Sequence, residues 1–187
     1  EPGHGQPSFD KQFARDWLKA NEGHNWTLPQ EIVDKTIEKY LGKDFKVTSS
    51  KGHICDLATK GKEGLGVDIE NDFKATYVVS PDKKETVDQL KKLVKSSDFV
   101  YLATDPDREG EAISWHVAYI LGIDKDKKVR VTFNEITKSG IKAGMDNPRS
   151  VDMDLVNAQQ ARRILDRLVG YTLSPFVSQK IRPRLSA

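Results

Sequence analysis

The chain has 187 residues, 37% of them hydrophobic and 31% charged, with a net charge of +2. That is enough length and apolar content to bury a core in one ordinary domain or two small ones, and it excludes a disordered tail. No apolar run approaches the roughly 18 residues needed to span a bilayer, "EPGHGQPSF" lacks the regions of a signal peptide, and a single cysteine, Cys55, excludes a disulfide framework or a cysteine-rich zinc site. The expectation is a cytoplasmic protein with no membrane partner.

In chain order, "SFDKQFARDWLKA" places Phe9, Phe13, Trp17 and Leu18 on one helical stripe. After "NEGHNW", Pro29 opens a second helix carrying Ile32, Val33, Ile37, Tyr40 and Leu41, stopped at Gly42. Together they predict a helical hairpin. From Asp44 onward strand and helix signals alternate. "FKVTSS", "KATYVVS", "DFVYLAT" and "VRVTF" read as strands, and "KKETVDQLKKLVKSS" reads as an exposed helix with Val87, Leu90, Leu93 and Val94 inward. A further helix runs through "AISWHVAYIL" to Gly122, and another begins near Thr137. This order predicts an α/β fold, a parallel sheet flanked by helices. "GKEGLGVD" is too irregular for a dinucleotide fingerprint. A last helical unit, "VDMDLVNAQQARRILDRLVG", sets Leu155, Ala158, Ala161, Leu165 and Leu168 on an apolar side, puts Arg163 and Arg167 on the other, and stops at Gly170.

Charge is unevenly spread. From Leu155 to Ala187 there are six basic side chains, Arg162, Arg163, Arg167, Lys180, Arg182 and Arg184, against Asp166 alone. The segment suits an anionic partner, although a solvated basic surface is by itself the more common explanation of such charge.

The opposite charge gathers in "LATDPDREGEA", where Asp105, Asp107, Glu109 and Glu111 fall within seven positions directly after a strand. Ligands of open α/β sheets sit beyond the carboxyl ends of the strands. Close carboxylates raise one another's pKa unless a cation or an arginine compensates. Magnesium, held by a few carboxylates and waters, suits Asp-x-Asp-x-Glu. The same residues also suit a turn leading into a helix N-terminus, and spacing alone leaves both readings open. An EF-hand is excluded, because its twelfth position would be His116 in place of a bidentate glutamate. His116 reads as a packed helix residue. His53, in "SSKGHICDL", reads either as a substrate contact or as a plain loop histidine.

"VYLATDPDREGEAISWHV" resembles the metal-binding signature of TOPRIM domains, specifically those of type IA DNA topoisomerases (bacterial DNA topoisomerase I). "TIEKYLG", "SSKGHICDL", "FNEITK", "NAQQARRILDRLVGY" and "LSPFVSQKIRPRLSA" resemble the same family in the same order, from about Thr36 to Ala187. The resemblance implies a TOPRIM-like, Rossmann-like parallel sheet over 36–146 and the start of a helical DNA-binding domain over 147–187. It implies Mg2+ held by Asp105, Asp107 and Glu109, and single-stranded DNA in a groove lined by Arg163, Asp166, Arg167 and Tyr171. In that family the acidic triad holds the ion that organises DNA phosphates during cleavage and rejoining, and the whole enzyme relaxes negatively supercoiled DNA. Arginine forks onto phosphates and a tyrosine face on which a base stacks agree with the implied partner.

Two departures stand out. Where the family has a strand running into Val-Glu-Ser-Pro-Ala-Lys-Ala-Lys, this chain has "TLPQEIVDK", with Pro29 in place of the catalytic glutamate, Val33 in place of the catalytic lysine, and only Lys35 matching. The open sheet edge so left is expected either to be covered by the N-terminal hairpin or to recruit a second copy of the chain. Residues 1–40 instead resemble the C-terminal tail of SAICAR synthases, purine-biosynthetic ligases, with a seam within about Lys35–Tyr40 and a hairpin over 1–35. The chain also ends before the family's strand-cleaving tyrosine, and none of its five tyrosines sits in a motif like that nucleophile's. The expectation is a topoisomerase piece that binds magnesium and single-stranded DNA without cleaving it. A ligase fragment or an inactive hybrid is the alternative.

Overall fold

The computed structural model describes residues 30–59 and 64–180. Helix α1 spans Gln30–Leu41, as the periodicity predicts. The first helix of the expected hairpin and most of the segment resembling SAICAR synthase lie outside the described residues. Strand β1 (Cys55–Leu57) pairs antiparallel with β4 (Tyr77–Val79), and β2 (Val67–Asp68) with β3 (Lys74–Ala75). Helix α2 is Lys84–Lys95, β5 Leu102–Ala103, α3 Arg108–Leu121, β6 Arg130–Val131, α4 Lys138–Asp146 and α5 Met153–Lys180.

The α/β character lies in β5–α3–β6. The two strands are parallel neighbours, with Leu102 opposite Arg130 and Ala103 opposite Val131, and a helix makes the crossover that parallel pairing requires. Among the described residues no strand pairs with the other edge of β5. The core forms where Ile54 and Cys55 meet Val87 of α2, Leu102, Val117 and Ala118 of α3, Val129, Val151 and Val156. Cys55 is free and buried.

Several expectations on local structure are corrected. Among the described residues "FKVTSS" makes no ladder; it is tied instead to Glu38 of α1, which accepts from Lys46 Nζ (3.2 Å) and from the Val47 N–H (3.0 Å). The strand forms further on at β1, too short for its alternation to be noticed. Among the described residues two of the three strand pairs are antiparallel, and the parallel pairing is that of β5 with β6. Helix α5 does not stop at Gly170 but runs through it and through Pro175 to Lys180; a mid-helix glycine costs about 1 kcal/mol, too little to end a helix by itself. The inward face of α5 is also different. Val156 and Gln159 are its buried residues, whereas Leu165 is 60% exposed. Arg163 and Arg167 continue the Val156–Gln159 stripe at helical spacing, so the side read as outward faces β1.

Candidate functional site

Helix α3 begins inside the acidic loop because Asp107 caps it. The Asp107 side chain accepts from the Gly110 N–H at 2.7 Å through Oδ1, satisfying one of the free amides of the first turn. Thr104 Oγ1 donates to the Gly110 carbonyl (2.6 Å) and meets Ser114 Oγ at 2.9 Å, tying the loop back onto the helix. A Cβ on Gly110 would lie 2.1 Å from the Asp105 carbonyl oxygen, so only glycine lets the loop pass so close.

The four carboxylates divide into separate environments. Asp105 and Asp107 are exposed and Glu109 is half-buried. Glu111 is fully buried against Arg130, itself fully buried. Arg130 donates from Nε to Glu111 (2.9 Å), from Nη1 to the Leu102 and Val131 carbonyls, and from Nη2 to the Asp105 carbonyl (2.7 Å). Arg149 and the Asp152 N–H complete the ring of donors on Glu111. Burial by itself raises the Glu111 carboxyl pKa, but these hydrogen bonds and the charges of Arg130 and Arg149 outweigh it and hold it below the usual carboxylate range. Arginine compensation thus goes to Glu111, and the guanidinium grips the backbone of the acidic loop from below.

Glu109 points toward α5. It meets His53 Nε2 at 3.2 Å and accepts from Gln159 Nε2 at 3.1 Å. On the same side Arg163 donates from Nε (2.9 Å) and Nη2 (2.6 Å) to Asp56 of β1. Arg167, its side chain only 8% exposed, stands 3.6 Å from the same carboxylate and lies 5.6 Å over the Tyr171 ring. Asp166 pairs at long range with Arg162 (3.9 Å), not with Arg163 or Arg167.

A cleft of about 420 Å³ joins these groups. Its walls include His53, Asp56, Tyr77, Glu109, His116, Gln159, Arg163 and Asp166. His116 is 2% exposed, and among the described residues neither of its ring nitrogens has a hydrogen-bond partner. Burial, then the neighbouring His53, lowers its pKa to about 4, so it is neutral near pH 7. Tyr77, 4.7 Å away between ring centres, also lacks a hydroxyl partner among the described residues and is pushed up to about 12, first by burial and then by Asp56.

The structure therefore gathers His53, Glu109, Arg163 and Asp166 in one cleft, with Arg167 and Tyr171 behind it on α5. Asp105 and Asp107 lie on the loop beside it. Among the described residues no three His, Cys, Asp or Glu side chains are placed to enclose a metal ion. Sequence reasoning missed Asp56 and Gln159. Both stand in the quoted motifs "SSKGHICDL" and "NAQQARRILDRLVGY", and only the fold shows that they meet Arg163 and Glu109.

An acidic loop that follows a parallel strand thus faces, across a shared cleft, a helix that presents arginines, on an α/β framework. Residues 33–136 match the Toprim domain, and the chain belongs to that family. It is similar at 44% identity, with a TM-score of 0.73, to full-length topoisomerase I from Thermotoga maritima, the match covering 83% of this chain and 26% of that one. It thus spans about a quarter of that relative. The TOPRIM and topoisomerase resemblance read from the motifs is borne out, and the family match begins at Val33, ahead of the expected seam. Among the described residues no helix is long and apolar enough to cross a membrane.

Proposed function

We propose that this chain is the magnesium- and single-stranded-DNA-binding part of a type IA topoisomerase. The observation that carries the reading is the shared cleft, which sets Glu109 of the acidic loop against Arg163 and Asp166 of α5. Asp105, Asp107 and Glu109 would hold Mg2+. Two exposed aspartates and a half-buried glutamate, an all-oxygen donor set, fit a largely hydrated magnesium rather than a closed cage. Bound there, the ion would supply positive charge for a DNA phosphate. His53 and Gln159 orient Glu109 toward the cleft. Arg163, 42% exposed at its side chain, faces an incoming phosphate, while Arg167 stays behind it and steadies the Tyr171 ring, a face for an unpaired base. Within the longer enzyme this unit serves relaxation of supercoiled DNA in the cytoplasm. The present chain binds the strand without cleaving it, because no tyrosine here lies in the family's nucleophile motif.

The metal half of the reading is tested by melting. Magnesium at a hundredfold excess over its dissociation constant is expected to stabilise the fold by about 2.7 kcal/mol. Asp107→Asn keeps a helix cap of equal quality and removes a ligand charge, so it should abolish most of that gain while leaving the metal-free melting temperature nearly unchanged. A wild-type melting temperature indifferent to magnesium would contradict the assignment.

A further inference from the structure

Asp56 lies in mid-strand between buried Cys55 and Leu57, so the alternation of β1 turns its side chain out of the core and toward α5. Its carboxylate is crowded with donors: the Leu57 N–H at 2.7 Å, Arg163 through two nitrogens, and Arg167 at 3.6 Å. The two-pronged contact with Arg163 uses the fork by which arginine also grips a phosphate. Asp56 and Arg163 remain 41% and 42% exposed at their side chains, where solvent reaches the pair and carboxylate and guanidinium separate at little cost. The tie is not the main join between the elements it links. Strand β1 is fixed by its ladder with β4, and α5 by the burial of Val156 and Gln159.

We propose that Asp56 is the positioning residue for phosphate recognition in this cleft. It holds the Arg163 fork in the orientation a phosphodiester needs and cancels one of two neighbouring guanidinium charges. An arriving phosphate displaces the carboxylate instead of adding to a free positive charge, which keeps the grip weak and exchangeable. The inference rests on the single-stranded DNA reading and adds to it the residue that sets how firmly the strand is held.

Asp56→Asn is nearly isosteric and leaves an oxygen for the Leu57 N–H. It is expected to tighten single-stranded DNA binding several-fold at low salt and to steepen the log–log salt dependence by about 0.7, the increment for one more phosphate neutralised on a single strand. Asp56→Glu should return the slope toward wild type, and adding Arg163→Ala to Asp56→Asn should erase the gain. If Asp56 were only a structural tie, Asp56→Asn would lower the melting temperature and leave the slope unchanged or shallower, and that result overturns the proposal. Calorimetry with inorganic pyrophosphate separates this outcome from failure of the DNA reading. If neither protein binds the strand, the DNA reading fails. A gain of pyrophosphate affinity in Asp56→Asn then still supports displacement at Arg163, and no gain overturns it.

Discussion

Replacing Arg130 by leucine is expected to cost about 3–5 kcal/mol, the usual penalty for removing one partner of a buried ion pair. Domains of this size are stable by only about 5–15 kcal/mol, so the variant should lose a large share of that margin and melt well below the wild type. Both side chains are fully buried, and without Arg130 the Glu111 carboxylate keeps only Arg149 and the Asp152 N–H. The Leu102, Val131 and Asp105 carbonyls lose their donor as well, and the acidic loop loses the contact that holds its backbone. Replacing Glu111 and Arg130 together by leucine should cost clearly less than the two single changes added, because no fully buried charge is then left unpaired and Arg149, 40% exposed at its side chain, can turn to solvent. Urea unfolding of the four proteins decides the matter. Strict additivity would mean that the pair is not coupled in the way its geometry implies.

Acid is expected to act through His116 before it reaches the carboxylates. Its folded pKa of about 4 lies below the ordinary value of about 6.5. Between those two pH values the unfolded chain therefore binds a proton that the folded chain refuses, so stability falls as the pH is lowered through that window. The full difference amounts to about 3 kcal/mol. His53, Tyr77 and Trp115 pack around the ring and Asp56 lies nearby, and burial outweighs the carboxylate's pull. Glu111 has the usual carboxylate sense: its lowered pKa contributes stability that is lost only at more acid pH, as the carboxyl protonates below its ordinary range. His116→Leu removes two unsatisfied buried nitrogens and should flatten stability between pH 6.5 and 4. The check is the unfolding midpoint across that range, and a wild-type profile parallel to the variant's would contradict the assignment.

The acidic loop was legible in the sequence because its chemistry is local. Four carboxylates, a glycine and a helix start sit within a dozen residues, and Asp107 caps α3 as such a string should. The division of labour among them was not legible. Nothing in "DPDREGEA" shows that Glu111 is claimed by Arg130 and Arg149, 19 and 38 residues away, or that Glu109 turns to Gln159. The same limit explains the misread face of α5. Leucine and alanine spacing pointed to one side, but the helix lies on a charged cleft, and Arg163 and Arg167 are drawn inward by Asp56, more than a hundred residues earlier. Strand β1 was missed because three residues are too few for a period of two to emerge, while "DFVYLAT" and "VRVTF" were found because continuous apolar runs mark buried parallel strands.

The central claim is that the cleft between the acidic loop and α5 holds single-stranded DNA by phosphate charge at Arg163. Fluorescence anisotropy of a labelled single strand, titrated with this protein across a range of salt concentrations in magnesium, tests it most directly. The account predicts measurable binding at low salt that weakens as salt rises, and an Arg163→Ala variant that binds more weakly with a slope shallower by about 0.7. Absence of binding at low salt, or a slope and affinity untouched by Arg163→Ala, would contradict it.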